Sequence, residues 1–280
     1  MRGCHLKRVE IIVLNWNGWQ DTLTCVSSLQ HLDYPNFHVM VVDNDSSDGS
    51  PVHIRAHQPT VELIQTGANL GFGGGCNVGI QIALDRGAQY IWLINSDATV
   101  DPGALSAMVQ TAEANRDIGA VGSVLYEAHR VDDIQLWGGG KVQLWSGRSH
   151  HQRSPARLDF ISGASILLRR EALLAVGLLD NQSFFMYWED TDLGFRLRAA
   201  GWKLGVAQDS RVWHKQSASL GKRSPLLDEY FTRSGVRFLR RHAPFPIVSV
   251  LMMVGLMLLK RVLMGELARA RAVGKGLVSA

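Results

Sequence analysis

The first hundred residues alternate between short apolar runs and segments with helical spacing. Residues 9–14, 37–42, 61–64 and 90–94 are rich in branched and aromatic side chains, which favours buried strands. In residues 23–32, leucine and valine recur every three residues and mark one face of a helix. Strands that alternate with helices are typical of βαβ units. The pattern therefore predicts an α/β fold built on a mostly parallel sheet with flanking helices.

The middle of the chain differs from this alternation. Residues 126–157 are rich in glycine, histidine and tryptophan, and we interpret them as an inserted loop or hairpin. The adjacent His150 and His151 could indicate a metal site. No further Cys or His stands at ligand spacing, so exposed loop histidines are the preferred interpretation. Residues 159–168 then predict a further strand.

The C-terminal part combines basic and apolar segments. Residues 229–242 have the pattern of a basic amphipathic helix, and residues 245–259 carry no charge before Lys260 and Arg261. As a helix, this uncharged segment spans about 22 Å, whereas the hydrocarbon layer of a bilayer is roughly 30 Å thick. We therefore expect an anchor that lies in the membrane surface rather than a span. The alternative is a helix packed on the domain.

Positive charge is concentrated in the same part of the chain. Residues 196–280 hold 16 of the 29 Lys and Arg residues and 4 of the 25 Asp and Glu residues, a balance of +12, so residues 1–195 carry 13 minus 21, or −8. A basic segment can bind nucleic acid or an anionic membrane, and the apolar run favours the membrane. We therefore predict a domain at residues 1–225, a membrane-associating helical extension at residues 226–280, and no nucleic-acid partner. Three scattered cysteines and the lack of a signal-peptide pattern fit a reducing cytosol.

Polar side chains follow the predicted strands at their carboxyl ends. Asn15 follows the first strand, Asp43 the second, and Asn95, Ser96 and Asp97 follow the fourth. Ligands bind outside the carboxyl ends of strands in open α/β sheets. Amide and carboxylate oxygens also suit a hard divalent cation that keeps room for phosphate oxygens. These residues are therefore candidates for ligand chemistry, although Asp43 could instead only shape a turn.

A glycine-rich segment, residues 69–77, begins the helix after the third strand. Glycines let backbone amides approach a diphosphate, and a helix N-terminus favours its negative charge. A dinucleotide-binding fold is the alternative. However, the segment follows the third strand rather than the first, and it has Cys76 where that motif requires a third glycine.

Acidic residues begin a later helix. Glu189 and Asp190 follow an apolar segment, and the helix dipole favours the ionised form of Asp190 by roughly 0.3–1 kcal/mol. An ionised carboxylate can take a proton from a hydroxyl group. Asp192 and Arg196 have the spacing of a helical ion pair, so structural and functional roles are equally open for them.

These motifs resemble those of family 2 glycosyltransferases with the GT-A fold, in the rhamnosyltransferase-like branch. Residues 95–97 resemble the Asp-x-Asp metal motif of that family, with Asn in place of the first Asp. Residues 15–17 and 41–46 resemble its nucleotide-binding strand ends, and residues 69–77 resemble its Asn-x-Gly-Phe pattern. Residues 189–190 resemble its Glu-Asp motif.

The resemblance covers about residues 9–240 and implies an inverting sugar transfer from a nucleotide-diphosphate donor. It implies that Asp190 is the catalytic base, that Glu189 orients the site or the acceptor, and that Asp97 and His214 hold Mg²⁺ or Mn²⁺. It also implies a set of donor-binding residues: Asn15 and Asp43 at the nucleoside, Asn69, Gly71 and Asn77 at the diphosphate, and Asn95 and Ser96 beside the metal. We expect Lys215 and the loop at residues 217–219 to close over the diphosphate.

The branch implies rhamnose from dTDP-rhamnose as the donor, with UDP-sugars still open. It implies a polyprenyl-linked or growing cell-surface glycan as the acceptor, at the inner face of a bacterial cytoplasmic membrane. Two other classes remain open at this point. A sugar-1-phosphate nucleotidyltransferase would have a Lys- or Arg-bearing glycine loop where residues 15–18 stand. A non-catalytic membrane-bound sugar-binding protein would not need both Asp97 and Asp190.

Overall fold

The computed structural model describes residues 6–216 and 224–280. The first half of the chain contains β1 (Val9–Asn15), α1 (Trp19–Leu29), β2 (Phe37–Asp43), α2 (Ser50–His57), β3 (Glu62–Gln65), α3 (Gly71–Asp85), β4 (Tyr90–Asn95), β5 (Ala98–Val100) and α4 (Ala104–Ala114). The central part contains β6 (Ile118–Glu127), β7 (Arg130–Trp137), β8 (Gly139–Gln143), β9 (Arg148–His151), β10 (Phe160–Ile161), β11 (Ser165–Arg169), α5 (Arg170–Val176), α6 (Glu189–Ala199) and β12 (Lys203–His214). The chain continues with α7 (Pro225–His242), α8 (Pro246–Leu263) and α9 (Leu267–Val278).

The main sheet confirms the predicted α/β architecture and positions the candidate residues. Its strand order is β3-β2-β1-β4-β11-β6-β12-β5, with β7 paired to β6. β1, β2, β3 and β4 run parallel, whereas β11 runs antiparallel to both β4 and β6. The chain order changes direction between β1 and β4, where Leu14 pairs with Asn95. Ligands bind at such switch points, so Asn15 and residues 95–97 lie at the expected edge.

Two sequence predictions about the central segment need correction. Residues 126–157 are not a single inserted loop or hairpin, because β7 pairs with β6 and extends the main sheet, whereas β8 and β9 pair with each other. Only β8, β9 and β10 form a separate three-stranded sheet, and His150 and His151 lie on β9 rather than in a loop. The single strand predicted over residues 159–168 is two strands, β10 and β11, separated by residues 162–164. The break has a physical reason, because the amide of Gly163 donates a hydrogen bond to a carboxylate instead of to a neighbouring strand.

Two apolar cores lie on opposite faces of the main sheet. In β1, Val9, Ile11 and Val13 belong to the core that α1 and α4 cover, whereas Ile12 belongs to the core that α3, α5 and α6 cover. This alternation is the two-residue period of a strand that is buried on both faces. Helix α2 was absent from the sequence prediction, because Ile54 is its one buried apolar residue and gives no periodic pattern.

A third core joins the C-terminal helices to the segment that precedes α6. Phe184 and Trp188 pack with Val236 and Phe238 of α7 and with Met253 of α8. The predicted extension therefore shares a core with the loop before Glu189. Whether residues 226–280 form a separate unit stays a prediction.

Helix α8 has two different apolar faces. Its inward face includes Val250, Met253 and Val254, which are buried in the third core. Its outward face, which we call the apolar face of α8, consists of exposed side chains: Ile247, Val248, Leu251, Met252, Leu256, Leu259, Val262 and Leu263. Within the described residues, α8 is long and apolar enough to cross a membrane by length and composition, with a mean hydropathy of 1.9 and 17% of the helix buried.

Candidate active site

Two connected cavities lie at the carboxyl edge of the main sheet. The larger cavity has a volume of about 630 Å³ and the smaller cavity about 370 Å³. The residues that line both are Phe72, Asn95, His151, Ser162, Met186, Tyr187 and His214. Asn69, Gly71, Ser96 and Asp97 line only the larger cavity, and Glu189 and Asp190 line only the smaller one. The structure therefore brings most of the predicted site residues into one continuous site with two compartments.

Asn95, Asp97 and His214 form a polar cluster between the compartments. The His214 Nε2 atom lies 3.2 Å from the Asp97 Oδ1 atom and 3.2 Å from the Asn95 Nδ2 atom. β5 and β12 pair antiparallel, with His214 opposite Ala98, so the two strands hold the imidazole beside the carboxylate. Asn95 and His214, which are 119 positions apart in the sequence, therefore meet in this cluster.

Gln135 on β7 fixes the tautomer of His214. Its Nε2 atom donates to the His214 carbonyl oxygen at 3.1 Å, so its Oε1 atom faces the imidazole Nδ1 at 2.8 Å. The Nδ1 nitrogen must therefore carry the hydrogen, and the Nε2 nitrogen of the neutral ring presents a lone pair towards Asp97. Sequence reasoning missed Gln135, since β7 lay in the segment interpreted as an inserted loop or hairpin.

The cluster fits a divalent cation on its donor chemistry. An imidazole lone pair and a carboxylate oxygen face each other across 3.2 Å, and a cation satisfies both acceptors at once. Within residues 6–216 and 224–280, no group of three or more His, Cys, Asp or Glu side chains could enclose a metal ion. Two protein ligands leave coordination positions for phosphate oxygens, as in sites where the substrate completes the metal shell.

The nucleoside candidates Asn15 and Asp43 lie behind the cavity wall. Both side chains are 0% exposed, and the Asn15 amide donates to Asp43 Oδ1 at 2.7 Å while accepting from Thr22 Oγ1 at 2.7 Å. Asp43 Oδ2 accepts from the amide of Ser46 at 3.2 Å. These bonds fix the loops after β1 and β2. Trp16 and Asn44, which the sequence prediction did not include, line the larger cavity at this edge.

Asn44 connects the loop after β2 to the glycine-rich segment. Its amide donates to Asn69 Oδ1 at 3.0 Å and to the Gly71 carbonyl at 3.1 Å, and its own Oδ1 accepts from the amide of Leu70 at 3.0 Å. Gly71 has a φ of +74° and contacts the loop that precedes α6, because a Cβ atom there would lie 2.1 Å from the Phe185 carbonyl oxygen. Asn69 and Gly71 therefore line the larger cavity in a fixed geometry.

Asn77 has a different position from the one predicted. Its side chain donates to the Leu179 carbonyl at 2.7 Å and accepts from the Leu179 amide at 3.1 Å. Six positions separate it from Gly71, or about 9 Å along α3. Asn77 therefore holds the loop after α5 and does not line either cavity. Lys215 also has a protein partner, Asp21 Oδ1 at 2.6 Å, and the predicted closing loop at residues 217–219 lies outside the described residues.

Glu189 and Asp190 are adjacent acids with different surroundings. Asp190 Oδ2 accepts from the Gly163 amide at 2.9 Å, and its Oδ1 accepts from the Thr191 amide at 2.6 Å and the Thr191 hydroxyl at 3.1 Å. Burial raises the pKa of Asp190, and these donors oppose the rise. Glu189 is 6% exposed, its Oε2 atom has no hydrogen-bond partner in the described part of the chain, and burial next to Asp190 raises its pKa to about 8. The three donors favour the charged form of Asp190, whereas burial and the neighbouring Asp190 favour the protonated form of Glu189.

The backbone before these acids adopts an unusual conformation. Tyr187 and Trp188 have φ values of +67° and +72°, a region that costs non-glycine residues energy unless surrounding contacts enforce it. Helix α7 provides such contacts: Ser234 Oγ donates to the Met186 carbonyl at 2.8 Å, and Arg237 donates to the Ser183 carbonyl at 2.8 Å. Packing against α7 therefore holds both acids at the wall of the smaller cavity.

Asp192 has a structural environment rather than a catalytic one. It is 0% exposed and accepts from Arg196 Nε at 2.7 Å, from Arg241 Nη1 at 2.9 Å and from His242 Nε2 at 2.8 Å. Burial alone would raise the pKa of Asp192, but these hydrogen bonds lower it to about 2. The i,i+4 pair predicted from sequence is present, and Arg241 and His242 of α7 also contact the same carboxylate.

The fold is that of the GT-A glycosyltransferases. Residues 10–177 match the model of glycosyl transferase family 2, which is more than half of the chain. The chain therefore belongs to glycosyltransferase family 2, and it is a glycosyltransferase. This confirms the resemblance seen in the motifs and excludes a non-catalytic sugar-binding protein.

One similar relative is a rhamnosyltransferase, and another is a galactofuranosyltransferase. It is 32% identical over 210 residues to an N-acetylglucosaminyl-diphospho-decaprenol L-rhamnosyltransferase of Mycobacterium tuberculosis, covering 66% of this chain and 68% of that protein. It is 27% identical over 186 residues to the galactofuranosyltransferase GlfT1 of the same organism, covering 63% of this chain and 60% of that protein. The chain is thus rhamnosyltransferase-like within its family.

Solved structures agree on the fold. The mannosyltransferase PcManGT from Pyrobaculum calidifontis, solved with GDP-Man and Mn²⁺, has a TM-score of 0.61 and 18% identity, over 99% of this chain and 77% of that one. GalNAc-T7, solved with UDP, GalNAc and Mn²⁺, has a TM-score of 0.68 and 16% identity, over 85% of this chain and 48% of that one.

Proposed function

We propose that this chain is an inverting glycosyltransferase that moves rhamnose from dTDP-rhamnose to a polyprenyl-diphosphate-linked glycan. The observation that carries the proposal is the division of the site. The Asn95, Asp97 and His214 cluster lies at the boundary of the larger cavity, and Asp190 lies in the smaller one. The donor diphosphate occupies the larger cavity, and the acceptor hydroxyl enters from the smaller one.

Side chains on the donor side hold the nucleotide and its diphosphate. Trp16 and Asn44 border the nucleoside, with Asn15 and Asp43 fixing their loops from behind. Asn69 and Gly71 face the diphosphate, and Asn95 and Ser96 lie beside it.

Asp97 and His214 are the residues that would hold Mg²⁺ or Mn²⁺. A bound divalent cation stabilises the negative charge that develops on the leaving diphosphate. Gln135 accepts from the His214 Nδ1 nitrogen and so orients the ring with its Nε2 nitrogen towards the cluster. The Mn²⁺ in the two structures of similar fold supports this assignment.

Asp190 removes the proton from the acceptor hydroxyl. Its Oδ2 atom accepts one hydrogen bond from protein, so it retains a lone pair for the acceptor. The deprotonated oxygen then attacks the anomeric carbon from the face opposite the diphosphate, and the sugar configuration inverts. Glu189, neutral at pH 7, can donate a hydrogen bond to a neighbouring acceptor hydroxyl.

The acceptor and the location of the enzyme follow from the relative and from α8. The rhamnosyltransferase relative is named for a decaprenol-linked acceptor, which supports a polyprenyl-linked acceptor here. An exposed apolar face on α8 close to exposed Lys260 fits the surface of an anionic bilayer. We therefore place the enzyme on the inner face of a bacterial cytoplasmic membrane.

A panel of nucleotide sugars tests the donor and the metal together. Purified protein with Mn²⁺ or Mg²⁺ should release dTDP from dTDP-rhamnose faster than it releases the nucleotide from UDP- or GDP-sugars. Removing the metal with a chelator, or replacing Asp97 with alanine, should abolish the release. Selective turnover of another nucleotide sugar would refute dTDP-rhamnose, and metal-independent turnover would refute the role of Asp97.

Replacing Gln135 with leucine should weaken metal binding by about 10- to 100-fold, because partners of metal-bound histidines typically contribute this much. The change removes the acceptor that fixes the His214 tautomer and leaves Asp97 in place. The metal concentration for half-maximal donor turnover measures the effect. Gln135→Glu, which keeps an acceptor for Nδ1, is the matched control and should lose far less. Equal losses in both variants would show that β7 packing, not the hydrogen bond, is responsible.

A further inference from the structure

The turn between β8 and β9 is fixed against the C-terminal helices. Gly147 has a φ of +63°, and a Cβ atom there would lie 2.8 Å from Leu239 Cδ1 of α7 and 2.9 Å from Met253 Cβ of α8. Val142 and Leu144, on the other side of the turn, pack against the third core. The three-stranded sheet is therefore attached to α7 and α8 through this turn.

The same turn exposes a tryptophan beside α8. Trp145 is 59% exposed and stands two positions before Gly147, which is about 7 Å at most along an extended backbone. Gly147 contacts Met253, and Met252 and Leu256 are its exposed neighbours on the helix. Trp145 is therefore an exposed aromatic residue close to the point where the turn contacts α8. Tryptophan is the residue most typical of the boundary between water and lipid, because its ring is apolar and its N–H is polar.

Three exposed basic residues belong to the turn region, α7 and α8. Arg148 follows Gly147 at the start of β9, Arg240 follows Leu239 on α7, and Lys260 is near the end of α8. All three are exposed, and none has an ion-pair partner among the residues that the structure describes. Cations around an apolar surface are complementary to anionic headgroups around lipid chains. A lipid bilayer is therefore the occupant that this surface fits.

The strand after the turn leads into the smaller cavity. Ser149 and His151 of β9 both line it, and burial lowers the pKa of His151 while the charge of Asp190 opposes that shift. Because β9 connects the turn to this wall, binding of the turn to a membrane would fix the distance between the membrane and the smaller cavity.

We propose that the β8–β9 turn is a second membrane-binding element, which places Trp145 at the lipid interface beside α8. It holds the smaller cavity, through β9, at the surface where a lipid-linked acceptor emerges. This inference rests on the proposed function for the identity of the acceptor, but its contact with lipid can be measured without any acceptor.

Vesicle binding tests the proposal directly. The full chain is sedimented with vesicles of phosphatidylethanolamine and phosphatidylglycerol, and Trp145→Ala should bind about tenfold more weakly than the unaltered chain. Trp145→Phe, which keeps an aromatic ring, should recover most of the binding. The matched control is Leu174→Ala on α5, an exposed leucine on a helix that packs against β6, β11 and α6, and it should bind like the unaltered chain.

Donor turnover without vesicles separates this inference from the transferase proposal. Trp145→Ala should release nucleotide diphosphate from the donor at the unaltered rate, because Trp145 lines neither cavity. Vesicle binding that is equal in Trp145→Ala and the unaltered chain would overturn the inference. So would an equal loss in Leu174→Ala, or the absence of vesicle binding by the unaltered chain. A failure of donor turnover in the unaltered chain would instead count against the transferase proposal.

Discussion

Asp190→Asn should lower sugar transfer by about 10²- to 10⁴-fold, the contribution typical of a positioned general base. The asparagine keeps the size of the side chain and can still accept from the Gly163 amide, but it cannot take a proton. Nucleotide-sugar binding should be nearly unchanged, since Asp190 lines the smaller cavity and not the larger one. Transfer to a polyprenyl-diphosphate-linked acceptor and calorimetric binding of the donor measure the two quantities separately.

Glu189→Gln is the matched control for this prediction. Because burial and Asp190 raise the pKa of Glu189 to about 8, the side chain is neutral at pH 7, and glutamine reproduces a neutral hydrogen-bond donor. We expect Glu189→Gln to keep most of the transfer activity. A loss as large as that of Asp190→Asn would make Glu189 the base, and normal transfer by Asp190→Asn would remove Asp190 from the mechanism.

Replacing Asp192 with alanine should lower the free energy of unfolding by about 3–5 kcal/mol, the usual cost of removing one partner from a buried ion pair. The change leaves Arg196, Arg241 and His242 without their shared carboxylate, between α6 and α7. Denaturant unfolding measures the loss. Asp117→Ala, which removes an exposed carboxylate from its pair with Lys203, should cost at most about 1 kcal/mol. Similar losses in the two variants would contradict the buried network.

The lowered pKa of Asp192 predicts how the stability of the protein depends on pH. The pKa of Asp192 falls from an ordinary 3.8 to about 2 in the folded protein, so its contribution is fully present above about pH 4. It is lost as the pH falls from about 4 to about 2, and a shift of this size corresponds to roughly 2 kcal/mol. Asp192→Asn should remove this part of the acid-induced loss. If Asp192→Asn loses as much stability between about pH 4 and about pH 2 as the unaltered chain, other carboxylates are responsible for that loss.

Local patterns predicted the parts of the site that lie close in sequence. Asn95, Ser96 and Asp97 follow β4 directly, and Glu189 and Asp190 begin α6, so strand and helix boundaries were enough to find them. The parallel strands β1 to β4 were also predicted from local patterns, because each is a short apolar run.

Roles that depend on distant contacts could not be predicted. Gln135 contacts His214 across 79 positions, and the exposed first half of β7 hides the strand in a polar pattern. Asn77 matches a motif position, yet its partner Leu179 is 102 positions away and turns it into a structural residue. The support of residues 183–188 by α7 also depends on a fold that brings a basic helix against a strained loop.

The configuration of the product tests the central claim most directly. The donor identified by the nucleotide-sugar panel is incubated with a polyprenyl-diphosphate-linked acceptor and metal, and proton NMR reads the anomeric configuration of the new glycosidic bond. A single displacement assisted by Asp190 predicts a configuration opposite to that of the donor. Retention of the donor configuration would contradict the account, because it requires a different path from the one that these two cavities and their acids support.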